Sequence, residues 1–130
     1  MMDYSQLSDF EINVAVFEAI HNGSPDYKEG ENGDMVFVSF EGDIVNGDAV
    51  EVEVERGSFN PCANPADAWP IITENKISIM FDSTDTRYEG EYHEWCDAIS
   101  SCQKFGIQYQ SNPLRAAMIV FLMMQENQNG

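Results

Sequence analysis

The stretch Asn112–Met124, NPLRAAMIVFLMM, decides how this chain folds. Asn112 offers a side-chain oxygen at an N-cap position. Pro113 follows where a fixed φ suits the first helical residue and a missing N–H costs nothing. From Ala116 to Met124 no polar residue interrupts the run. A helix apolar on every side has to be covered on most of them, by a core or by lipid. A membrane span needs about 20 apolar residues, roughly twice what is present, so the expectation is a central helix inside a core. Each Leu, Ile, Val, Phe or Met buried there contributes roughly 1.5–3 kcal/mol, on the order of 10 kcal/mol for the helix as an upper bound.

Other segments have to pack around that rod. Ser8–His21 reads as an amphipathic helix. Ser8 and Glu11 have the spacing of a capping box, and Leu7, Phe10, Val14, Phe17 and Ile20 recur at three- and four-residue steps. His21 falls in the last turn, and Gly23 can take the left-handed position after it. The two ends are expected to lie helix against helix. Asn22–Asp34 is a polar loop. Met35–Phe40 reads as a strand, Glu41–Asp48 as a turn-rich loop and Ala49–Arg56 as a second strand. In the latter, Val50, Val52 and Val54 alternate with Glu51, Glu53 and Glu55, the pattern of a half-buried strand. An antiparallel hairpin with a long loop is expected.

Asn64 and Pro65 repeat the cap-and-proline start. Pro70 is expected to limit that helix to about a turn or to begin a new one. Trp69, Ile71 and Ile72 are the expected anchors to the core. Lys76–Phe81 reads as a third strand and Tyr92–Ile99 as a fourth with Trp95 inward. Phe105, Ile107 and Tyr109 alternate as in a short fifth. The polar tail Gln125–Gly130 is expected to fray. The fold class is therefore α+β. Residues 1–130 form one domain, with a small antiparallel β-sheet and the N-terminal and C-terminal helices packed on one face, the C-terminal helix central.

Charge is the abnormal quantity. Six basic residues stand against 23 acidic ones, a formal net charge of −17. Such a chain is repelled by nucleic-acid phosphates and by anionic membrane surfaces, and attracted to basic surfaces. The opening MMDYSQLSDF has neither a basic nor an apolar leader region, so no signal peptide is expected. Three cysteines, an odd number, fit a reducing setting with mostly buried thiols.

Catalytic and metal patterns are thin. His93, Cys96 and Cys102 lie close in sequence and Cys62 could join them, but the spacing is not a standard zinc pattern. The only other histidine is His21; no nucleophile signature or phosphate loop occurs. No cofactor and no metal is expected. The acidic pattern carries more. Glu51, Glu53 and Glu55 project from one strand face at intervals of about 6.6 Å. Glu41, Asp43 and Asp48 adjoin them, and Glu89, Glu91 and Glu94 make a further acidic edge.

Three stretches resemble a known family. NPCANPADAWPIITENKISI, the closing NPLRAAMIVFLMMQE and the opening YSQLSDFEIN are similar to the phage NinX-like proteins, small proteins of lambdoid and related bacteriophages. The resemblance implies a phage origin, expression in the cytoplasm of a bacterial host and no assigned catalytic residues. Within the shared residues, Arg115 sits at a helix start where the dipole disfavours a cation. An ion pair with Asp67 or Glu74 is expected to offset this.

The leading expectation is a small acidic accessory protein that binds a basic surface of a host or phage protein without catalysis. Glu51, Glu53, Glu55, Asp67, Trp69 and Arg115 are the candidate binding residues. The alternatives are a DNA mimic that inhibits a nucleic-acid-binding host protein, and a small-molecule site near Trp69 and Trp95; hydrolysis through carboxylates or His93 ranks below both. Oligomeric state is open, although a glutamate-faced strand such as Ala49–Arg56 is a poor self-pairing edge.

Overall fold

The computed structural model describes residues 2–84 and 92–129. Its first ordered feature is a 3-10 turn, Tyr4–Gln6, opened by the Asp3 side chain accepting from the Ser5 N–H. Helix α1, Asp9–His21, follows with the expected capping box. Ser8 Oγ accepts the Glu11 N–H at 3.1 Å, and Glu11 Oε1 accepts the Ser8 N–H at 3.0 Å. Asn22, not Gly23, takes the left-handed position at the end, with φ +57°.

Strands β1 (Tyr27–Glu29), β2 (Met35–Val45) and β3 (Asp48–Phe59) form one antiparallel sheet in that order. Helix α2, Pro65–Glu74, leads to β4 (Ser78–Ser83), β5 (Glu94–Ile99) and β6 (Gly106–Gln110), a second antiparallel sheet. Helix α3, Pro113–Asn129, closes the chain. The class is α+β as read from the sequence, with its strands divided between two sheets.

Helix α3 occupies the centre. Ala116–Val120 are fully buried, and α1, α2 and all three strands of the second sheet touch the helix. Asn112 Oδ1 caps it, accepting from Leu114 and Arg115, while its Nδ2 donates to the Cys62 carbonyl at 2.7 Å. The helix continues through the tail expected to fray. There Glu126 accepts from the Tyr4 hydroxyl at 2.8 Å and ties the two chain ends together. No described helix is long and apolar enough to cross a membrane.

Helix α1 is a wedge and buries more than one stripe. Phe17 packs its ring on Phe37 of β2 and Phe59 of β3, while Ile12 and Val16 join the cluster around α3. The fully buried positions are Ile12, Asn13 and Val16, a face rotated from the expected one, and Ile20 is exposed. Buried Asn13 is fully bonded. Its amide donates to the carbonyl of Gly33 and to Asn60 Oδ1, and its oxygen accepts the Cys62 N–H.

Helix α2 runs straight through Pro70, against the expectation of a one-turn piece. Pro70 removes the donor to the Ala66 carbonyl, but Ala66 is exposed and water can serve it. The helix ends with a Schellman motif: Lys76 sits at φ +56°, its N–H reaches Thr73, and the Ile77 N–H reaches Ile72 at 3.0 Å.

Candidate functional site

The β2–β3 hairpin is longer and barer than its sequence suggests. Glu41–Val45 and Asp48 belong to strands, and a two-residue turn, Asn46-Gly47, replaces the expected loop. Asn46 and Gly47 both have positive φ, at +53° and +85°, as a type I′ turn requires. Near the core, Met35 faces Phe59 and Phe37 faces Gly57; from Val38 onward the register shifts, Val38 facing Glu55, so that Arg56 is left over as a bulge.

That one residue changes what each face carries. Beyond it, Phe40 lies opposite Glu53, Glu41 opposite Val52, and Asp43 opposite Val50. Paired residues share a face, so each face has one apolar column and one acidic column. Without the bulge the valines would join Phe40 and Ile44 on one face. Glu41 would then oppose Glu53, and Asp43 would oppose Glu51, like charge against like. The bulge keeps those carboxylates apart and leaves no face apolar enough to bury. All residues from Phe40 to Glu53 are exposed, Phe40 at 55% and Ile44 at 75%. The expected half-buried strand is instead an arm about 17 Å long from Phe40 to Val45.

Among the described residues, cations meet this arm only at its base. Lys28 on β1 reaches Glu53 at 2.8 Å and Glu55 at 3.1 Å, and Arg56 pairs with Glu41 and Ser39. Glu51, Asp43 and Asp48 lie further out. The candidate ladder Glu51, Glu53, Glu55 is thus a real column, but two of its three carboxylates share a lysine.

The other candidate residues separate into two roles. Asp67 and Arg115 hold the fold. Asp67 Oδ2 accepts the Asn60 N–H at 2.8 Å. Arg115 pairs with Asp9 at 2.7 Å and donates to the carbonyls of Ser5 and Leu7, so neither Asp67 nor Glu74 is its partner. Two helix starts, α1 and α3, meet there, and Asp9 offsets the cost at both. Trp69 is no core anchor, being 62% exposed. Its neighbours Ile71 and Ile72 take that place, because α2 continues through Pro70 and turns Trp69 outward.

Trp69 instead forms one wall of a groove of about 790 Å³ with Ile72 of α2, Ile79 and Phe81 of β4, and Leu114 of α3. Phe81 is 77% exposed. Trp95 is not part of it; half-buried on β5, it packs against Tyr109. Nothing local in the sequence marks this groove, since its walls come from three separate elements.

Among the described residues no three His, Cys, Asp or Glu side chains are grouped to hold a metal. The cysteines lie apart in environment. Burial pushes the Cys62 thiol up to about 12. Cys96 is buried with Sγ 3.2 Å from the Gln110 carbonyl. Cys102 is exposed, so two of the three thiols are buried, in line with the expectation of mostly buried thiols, and contact with the Ser100 hydroxyl lowers its pKa. Glu89 and Glu91 of the expected acidic edge lie outside the described residues, and Glu94 is exposed at the start of β5.

A family model described as Bacteriophage P22, NinX matches residues 3–125. No curated protein and no solved structure matches the chain.

Proposed function

The chain belongs to the bacteriophage P22 NinX family of phage accessory proteins, and from that premise we propose that it works by binding a host or phage protein through the hairpin arm, without catalysis. The observation that carries this reading is the run of exposed residues from Phe40 to Glu53, with an apolar and an acidic column on each face. A two-stranded ribbon with neither face covered gains little by itself. Apolar side chains held out in this way mark contact surfaces. The partner complementary to the arm has an apolar floor for Phe40 and Ile44 and basic side chains for Asp43, Asp48 and Glu51.

This arrangement supports direct protein contact over DNA mimicry. A mimic needs an unbroken rail of free carboxylates, whereas here Lys28 bridges Glu53 and Glu55, and apolar residues and carboxylates share both faces. The formal charge of −17 still favours a basic partner and speeds the encounter at low salt.

The test is affinity capture from infected host cells with the native chain and with a Phe40→Ser/Ile44→Ser variant, at low and high salt. A protein held by the native chain, weakened by salt and lost from the variant supports the reading. Identical captures by both chains overturn the role of the arm. Displacement of the captured protein by duplex DNA would favour the mimic.

A further inference from the structure

Strand β4 is the outer strand of the second sheet, paired on one side with β5. The directions of its amides follow from the hydrogen bonds at its ends. The Thr84 N–H crosses to the His93 carbonyl at 2.9 Å, so even-numbered residues turn toward β5. Odd-numbered ones turn away. The Ile77 N–H goes back to Ile72, and the Ser83 N–H is taken by the neighbouring Asp82 side chain at 2.8 Å. Between these capped ends, Ile79 and Phe81 each direct one N–H and one carbonyl outward, and no described strand pairs with them.

Exposed edges are usually defended by charge, proline or a bulge. Of the two outer strands of the first sheet, β3 has Glu51, Glu53 and Glu55, and the three residues of β1 include Lys28 and Glu29. On the far side of the second sheet, β6 is kinked by Tyr109 at φ +58°. The six residues of β4 contain one charge, Asp82, and no proline. Beside this undefended edge lies the apolar groove of Trp69, Ile72 and Leu114.

We propose that the outer edge of β4 accepts an extended segment of a partner protein as an added strand, one that alternates apolar residues with lysine or arginine. Backbone pairing to Ile79 and Phe81 fixes its direction, and its alternate apolar side chains fill the groove against Trp69. Charge selects the basic residues between them, since the body carries −17 and Asp82 lies on the edge itself. A second copy of this chain is a poor occupant, because it brings a further −17. The lysine lining the groove, Lys76, has its ammonium on the Thr73 carbonyl at 2.9 Å, at the negative end of α2. This surface is separate from the hairpin arm.

The probes are two blocked heptapeptides, one alternating lysine with valine and one alternating glutamate with valine. The lysine peptide should bind saturably, shift Trp69 emission to the blue and slow hydrogen exchange at the Ile79 and Phe81 amides. The glutamate peptide should bind at least about tenfold more weakly. Versions of the lysine peptide N-methylated at all valines or at all lysines separate backbone pairing from simple greasiness, since only one set of amides faces β4. Loss of binding with one version and retention with the other supports strand addition. Absence of binding, equal affinity for both charges, or equal effects of the two methylations overturns it. So does sedimentation of the free chain as a dimer with those amides already protected. The Phe40→Ser/Ile44→Ser chain should bind the peptide as the native chain does, so failure here and failure of the arm are told apart.

Discussion

Arg115, in the first turn of α3, donates to the Asp9 carboxylate at the start of α1 across 2.7 Å, although the two lie 106 positions apart. The same guanidinium holds the carbonyls of Ser5 and Leu7, and its side chain is only 18% exposed. Arg115→Met would leave two carbonyls and a carboxylate without their donor. The expected loss of stability is about 2–4 kcal/mol. Asp9→Asn keeps an acceptor and should cost about 1 kcal/mol. Urea unfolding of the three chains measures both, and equal midpoints for Arg115→Met and the native chain would refute the argument.

The knot around Asn13 makes a second expectation. Asn13 is fully buried and serves three groups: the Gly33 carbonyl, Asn60 Oδ1 and the Cys62 N–H. Asn60 in turn donates to Asp34 and to the Asn32 carbonyl, and its own N–H reaches Asp67. Asn13→Leu is close in size and more apolar, yet it leaves a buried donor and acceptors unserved. The expected loss is about 3–5 kcal/mol, since each unpaired buried group costs roughly 1–3 kcal/mol. A gain in stability would mean that side-chain burial outweighs the knot.

These two sites show where sequence reading stops. The Asn112 cap, the Ser8–Glu11 box and the apolar run of α3 were legible because each signal is local. The need of Arg115 for a carboxylate was legible too, from the helix dipole. Which carboxylate was not, since Asp9 and Asp67 both lie in first turns and only the fold brings one of them close. Asn13 looked like any polar residue beside an apolar stripe. Prolines on either side of Trp69 fix backbone shape, but they do not say which way its ring faces. The hairpin is different. Asn46-Gly47 is a strong type I′ signal, and counting back from it pairs Val45 with Asp48 and sets the valines opposite carboxylates. The alternation within Ala49–Arg56 marks a strand but carries no register.

Stability at high pH should report the link between the chain ends. Burial, and then the hydrogen bond to the Glu126 carboxylate, push the Tyr4 phenol up from 10.0 to about 12. A folded pKa above the unfolded one means that the native form keeps a proton that the unfolded chain gives up first. The contribution is therefore complete below the unfolded value of 10.0 and is lost as pH rises through about 12. Over that window Tyr4→Phe should lose less stability than the native chain does. Parallel curves for the two chains would exclude Tyr4 as a source of the slope.

The hairpin register is the outcome of a contest, and it can be tipped. The Asn46-Gly47 turn enforces the Val45–Asp48 pairing, and the bulge at Arg56 absorbs the extra residue. Moving that residue into the turn would remove the bulge and place Ile44 opposite Val50 and Phe40 opposite Val54. It would also bring Glu41 against Glu53. Asn46→Ala/Gly47→Ala makes both left-handed turn positions costly, at roughly 1–2 kcal/mol each, and so favours the slipped pairing with its longer loop. The slip should be more complete at high salt, which screens the facing carboxylates. A nuclear Overhauser effect between the α-protons of Ile44 and Val50 in the variant, where the native pairing puts the Ile44 α-proton against that of Ala49, is the expected result. Retention of the native contact between Ile44 and Ala49 in the variant would show that the bulge, not the turn, sets the register.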